Sequence, residues 1–101
     1  MYLIRRVWKV KPGTSRKAAE LISKMGHLYE KSGQRSATRV YVSGSTVPGP
    51  ANTVYMDWTE ETLQSPYREN NDIPTEMATL GTELRKLQEE SHIEFYEMYV
   101  S

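Results

Sequence analysis

The sequence contains no cysteine. That excludes a disulfide framework, a thiolate metal site and a cysteine nucleophile together. Net charge is also lacking, because thirteen basic residues offset thirteen acidic ones, so no overall field draws the chain to nucleic acid or to an anionic membrane. There is no long apolar run. The opening Met1-Tyr2-Leu3-Ile4 is broken by Arg5 and Arg6 well short of a signal peptide or a membrane span. The glycines form no phosphate-cradling or nucleophile-elbow motif, which leaves nucleotide cofactors and serine triads unsupported. The two histidines, His27 and His92, have no histidine partner at helical spacing and no cluster of Asp at ligand spacing, so no metal site is expected. These absences predict a cytoplasmic protein without cofactor, nucleic-acid partner or membrane.

Among the rings, phenylalanine occurs once, against seven Tyr and two Trp. Rings with a polar handle suit a half-polar pocket or an interface. The length, 101 residues, fits a single domain with one core, 1–101. Tyr2 to Val10 is rich in strand formers and is stopped by Lys11-Pro12-Gly13. After a cap at Thr14 or Ser15, Ala18, Leu21, Ile22, Met25, Leu28 and Tyr29 fall on one helical face, and the helix runs from about Ser15 to Lys31, ending at Gly33. Glu20, Lys24, His27 and Lys31 make the polar stripe, which places His27 in solvent.

Ala37 to Ser43 and Asn52 to Thr59 read as a hairpin around the Gly44–Ala51 loop, with Val40 and Val42 on one side and Arg39 and Tyr41 on the other. In the second of these strands Val54, Met56 and Trp58 alternate with Thr53, Tyr55 and Asp57. Glu60 to Leu63 suggests one helical turn. Met77, Leu80, Leu84 and Leu87 define a second helix over Thr75 to Glu90, and His92 to Val100 is the last strand.

The order βαββαβ predicts an α+β, ferredoxin-like fold: a four-stranded antiparallel sheet with both helices on one face. Every strand carries rings or aliphatics on both faces, so the face without helices needs a cover. In a chain this short the natural cover is a second copy, which predicts a homodimer.

Two segments carry a family resemblance: Trp8-Lys9-Val10-Lys11-Pro12-Gly13 leading into the first helix, and Asn52-Thr53-Val54-Tyr55-Met56-Asp57-Trp58 passing into Glu60-Glu61-Thr62-Leu63. On these the chain resembles the dimeric α/β-barrel superfamily, with its NIPSNAP-like, stress-responsive A/B-barrel and antibiotic-biosynthesis-monooxygenase members. The resemblance implies two sheets packed face to face and a cavity in each subunit, between sheet and helices or toward the barrel centre. It spans nearly the whole chain, but its motifs are short and support fold and dimerisation rather than chemistry.

Candidate site residues follow from strand parity. Arg39, Tyr41, Tyr55 and Asp57 share one face: as a site, Asp57 abstracts a proton while Arg39 or a phenol stabilises an oxyanion. As structure, the same set is a cross-strand ion pair flanked by tyrosines at the dimer seam. His92, opening the last strand beside Glu90 and Glu94, is a second candidate for acid–base work, against the reading of a surface histidine. Trp8 and Trp58 group with the apolar set as core rings, with Trp58 the candidate ligand platform. Tyr67 and Arg68, on a turn before the second helix, are placed to bind an anionic group at a cavity mouth. Arg5 and Arg6 point to opposite faces, and only the presence or absence of a bulge decides which enters the core.

The leading function is thus a small-molecule-handling barrel that binds an aromatic or polyketide-like ligand, with cofactor-independent oxygenation or proton transfer as its chemistry. The competing one is a non-catalytic dimeric binding or accessory module.

Overall fold

A computed structural model describes residues 1–33, 35–63 and 75–100. Along the chain lie β1 (Tyr2–Val10), α1 (Ser15–Lys31), β2 (Arg39–Ser43), β3 (Thr53–Glu60), α2 (Glu76–Leu87) and β4 (Gln88–Glu97). The strands form one antiparallel sheet in the order β2-β3-β1-β4, as expected of the ferredoxin-like arrangement.

Three sequence expectations change. The helix anticipated to Glu90 stops at Leu87, and the last strand starts at Gln88 rather than His92 and ends at Glu97. Gln88, Glu89 and Glu90 are good helix formers, but Gln88 is extended, with φ −77° and ψ 132°, and the segment pairs with β1 through Val10↔Gln88 and Lys9↔Glu90. Ladder pairing outweighs the few tenths of a kcal/mol per residue, roughly, at stake in helix propensity. Lys11 N–H, donating to the Leu87 carbonyl at 2.9 Å, fixes the junction. Glu60 is the end of β3, and Glu61, Thr62 and Leu63 form no helical turn. Thr14 precedes α1 without capping it by its side chain; its hydroxyl turns back to donate to the Lys11 carbonyl at 2.6 Å.

Partners directly opposite in an antiparallel ladder share a face. Ile4, Trp8 and Val10 of β1 therefore join Val54, Met56 and Trp58 of β3 on the helix side. These six are buried under Ala18, Leu21 and Ile22 of α1 and, with Met77 and Leu84 of α2, make the core. Both Trp rings are core rings, as the strand parity predicts.

Gly26 marks the closest approach of α1. A Cβ there would meet Thr38 Oγ1 at 2.5 Å and Met56 Sδ at 3.2 Å. Thr38 is in turn held by Glu30, whose Oε1 accepts its amide at 2.5 Å and its hydroxyl at 2.7 Å. Those two bonds hold the Glu30 carboxyl below its ordinary pKa.

Candidate functional site

The ladder of β1 runs in register from Tyr2 to Lys9, and its irregularity falls only between Lys9 and Val10. Arg5 therefore points to the face opposite the helices and Arg6 to the helix side.

On the open face, Arg39, Tyr41, Tyr55 and Asp57 come together as the strand parity predicts. Arg39 Nε donates to Asp57 Oδ1 at 3.1 Å, and the Tyr41 hydroxyl reaches the same oxygen at 3.5 Å. Asp57 is buried, 7% exposed, while the Arg39 side chain is 63% exposed. Burial, followed by the neighbouring Asp57 charge, raises the Tyr41 phenol above its ordinary pKa. Tyr55 sits apart from the carboxylate, with its hydroxyl 2.8 Å from Ser43 Oγ. Ser43 gives its own proton to the Pro50 carbonyl, also at 2.8 Å, so Tyr55 is the donor between the two.

A second cluster on the same face centres on Glu94, which sequence reading did not single out. Its carboxylate accepts from Arg5 Nε at 2.7 Å, the Tyr96 hydroxyl at 2.6 Å and His92 Nε2 at 2.8 Å. The hydrogen bond from Tyr96, then that from His92, holds the Glu94 pKa down at about 2. His92 is mid-strand rather than at the opening of β4. The i, i+2, i+4 alternation of His92, Glu94 and Tyr96 was the signal available for this cluster.

The helix side holds different chemistry. Arg6 lies opposite Met56 and Ile93, with its guanidinium 4.9 Å above the Trp8 ring. Its Nε is buried without a hydrogen-bond partner among the described residues, and burial lowers its pKa. Arg35 stacks between Tyr29 and Trp58, at 3.7 and 3.8 Å from the two ring centroids. Trp58 also donates its indole N–H to Glu60 at 2.9 Å. On β4, Ile93 and Phe95 face this side, yet they remain 45% and 55% exposed. Together Arg6, Trp8, Ile93 and Phe95 make an open cleft with a cationic, aromatic floor.

Trp58 is thus on the opposite face from Asp57 and His92, and the anticipated site residues do not form one constellation. Tyr67 and Arg68 lie outside the described residues. His27 is exposed on α1, as its polar stripe predicts. A groove of about 470 Å³ between α1 and β2, lined by Val40, Val42, Ala19 and Val47 with Arg16 and Glu20, contains none of the candidates. No group of His, Asp or Glu among the described residues is placed to hold a metal ion. No helix among them is long and apolar enough to cross a membrane.

No protein-family model and no curated protein matches the sequence. Solved structures do match in fold. A NIPSNAP-domain protein of Burkholderia xenovorans is 13% identical, with a TM-score of 0.70 over 98% of this chain and 95% of its own. A NIPSNAP-family protein of Agrobacterium tumefaciens is 16% identical, with a TM-score of 0.69 over 95% and 90%. SnoaB of Streptomyces nogalater, a cofactor-independent oxygenase, is 10% identical with a TM-score of 0.63 over 99% and 94%. The chain therefore has the ferredoxin-like fold of the NIPSNAP and antibiotic-biosynthesis-monooxygenase structures, as its resemblance implied. At these identities the likeness concerns fold.

Proposed function

We propose that the protein is a homodimeric small-molecule-binding barrel. Its ligand is a planar aromatic carrying an anionic oxygen, seated in the helix-side cleft over Arg6 and Trp8. The observation that carries this reading is the buried Arg6 Nε without a partner. An unpaired buried cation is unfavourable in the empty protein, and an anionic group that accepts its hydrogen bond relieves that cost. Ile93 and Phe95 offer apolar surface for the rest of the molecule. SnoaB, described as a cofactor-independent oxygenase, supports ligand handling by this fold.

The carboxylates near the cleft are engaged, Glu60 by Trp58 and Glu30 by Thr38. The cleft is accordingly suited to binding and to stabilising an oxyanion, and proton transfer or oxygenation there draws on the ligand's own acidity. On the open face the principal charges are already paired, which favours the structural reading of Arg39 and Asp57 as part of a dimer seam. Leu3, Val7, Tyr41, Tyr55 and Tyr96 share that face and give a second copy apolar surface to cover.

Thermal-shift titration with hydroxylated aromatic acids and naphthoquinones tests the cleft. A bound compound raises the midpoint by mass action, and the rise should vanish in Arg6→Met while surviving in Asp57→Asn. No shift with any of these compounds, or an equal shift in Arg6→Met, would overturn the reading.

A further inference from the structure

Arg39, Asp57, Arg5 and Glu94 stand at one level of the sheet, one on each of β2, β3, β1 and β4, through the register pairs Arg39↔Asp57, Arg5↔Asp57 and Arg5↔Glu94. All four are on the open face, and their charges run plus, minus, plus, minus across its width. The outer pairs are closed within the chain, Arg39–Asp57 at 3.1 Å and Arg5–Glu94 at 2.6 Å.

We infer that this row sets the orientation of the homodimer, with the twofold axis parallel to the strands and β2 of each protomer lying over β4 of the other. The inference rests on the homodimer reading above. Two sheets packed face to face with nearly aligned strands have a twofold axis in the plane between them, directed either along the strands or along the row. An axis along the strands reverses the row. Arg39 then opposes Glu94 of the partner subunit, and Asp57 opposes Arg5 of the partner subunit, so all four positions meet the opposite sign. An axis along the row sets every charge against its own copy.

Moving that second axis to the next level does not rescue it. The level beyond Tyr41, Tyr55, Val7 and His92 contains Ser43, Thr53, Lys9 and Glu90. Arg5 would then oppose Lys9 of the partner subunit, and Glu94 would oppose Glu90 of the partner subunit. Like charges so opposed are unfavourable, and more so where the packed sheets exclude water. The first orientation is therefore selected against the second by repulsion as well as by attraction.

Because the chain has no cysteine, engineered thiols report the geometry cleanly. Tyr41 and His92 occupy the two edge strands one level from the charges, which they leave intact. Within one chain they are three strand spacings apart, roughly 14 Å. The double variant Tyr41→Cys with His92→Cys, treated with a bis-maleimide matched to the roughly 10 Å gap between packed sheets, should give covalent dimer at least tenfold above either single variant. Covalent dimer from a single variant at the level of the double one, or none from any of them in a protein that sediments as a dimer, would overturn the inference. A wild-type protein that sediments only as monomer fails the homodimer reading itself.

A charge exchange gives the second measurement. Arg5→Glu with Glu94→Arg preserves the pair within the chain but changes the row to plus, minus, minus, plus, so that every contact across the strand-parallel axis becomes like-charged. The dimer dissociation constant should rise at least tenfold in a variant that keeps its native circular dichroism spectrum. An unchanged dissociation constant would show that the row acts within one chain only.

Discussion

Arg5 and Arg6 are adjacent in sequence and lie on opposite faces of the sheet: Arg5 is bonded to Glu94 at 2.6 Å, and Arg6 lies over Trp8 with a buried, unpartnered Nε. Two consecutive arginines thus divide two tasks. One contributes to the charge row of the open face, and the other gives the helix-side cleft its cation.

Opposite stabilities should follow from removing them. Arg6→Met replaces an unpaired buried charge with an apolar chain of similar length, a change that is often neutral or stabilising. Its thermal midpoint should hold or rise by a few degrees, with about 4–8 °C corresponding to each kcal/mol in a domain of this size. Arg5→Met removes a partly exposed pair and should cost about 1 kcal/mol or less. Differential scanning calorimetry checks both, and a large destabilisation of Arg6→Met would show that its guanidinium is satisfied in the folded protein.

Asp57 is the acceptor at the centre of the Arg39 and Tyr41 cluster, so Asp57→Asn keeps the shape and removes the charge. Hydrogen bonds to charged groups contribute about 1.5–3 kcal/mol, and the exposure of Arg39 argues for the lower end. Urea unfolding should show a loss of about 1–2 kcal/mol by that measure, with ligand affinity in the helix-side cleft unchanged. Affinity that falls with Asp57→Asn at unchanged stability would return this face to the role of site.

The period-two alternation of β2 and β3 was enough to gather Arg39, Tyr41, Tyr55 and Asp57, because their hairpin has a regular register. It could not tell which neighbouring strand lies on the far side of β1. The charge row became visible only when β4 was placed beside Arg5, a pairing of residues 89 positions apart. Glu94 escaped notice for the same reason: alone it is an ordinary surface glutamate, and its partners come from strand order. The α2–β4 junction was obscured by the helix-forming run Gln88-Glu89-Glu90, where ladder pairing decides. The choice between Arg5 and Arg6 depended on a bulge, which the structure puts after Lys9, beyond both residues.

Gly26 lets α1 pack against Thr38 and Met56. Gly26→Ala gains about 1 kcal/mol in helix propensity but forces a Cβ against Thr38 Oγ1 at 2.5 Å. Overpacking of this kind costs about 1–3 kcal/mol, so a net loss is expected. Thr38→Ala removes the obstructing hydroxyl, and Gly26→Ala should therefore cost less in that background. A double-mutant cycle by chemical denaturation should give coupling of about 0.5–3 kcal/mol; strict additivity would mean that the helix shifts freely at this position.

Glu94 makes the stability of the fold depend on acid. Its folded pKa of about 2 lies below the roughly 4.3 of a free glutamate. The folded state therefore holds the ionised form more strongly than the unfolded chain does. The contribution is complete above the unfolded value and is lost as pH falls through the folded one. Between about pH 4.5 and 2 the unfolded state binds the proton first, so stability drops across that window as Tyr96, His92 and Arg5 lose a charged acceptor. Glu94→Gln cannot lose that charge, and it should show a lower plateau near neutral pH with a shallower fall over the same interval. Urea denaturation at half-unit pH steps, at a protein concentration that fixes the assembly state, compares the two slopes. Parallel curves would mean that the carboxylate is solvated in the folded protein and that the Glu94 cluster is not assembled in solution.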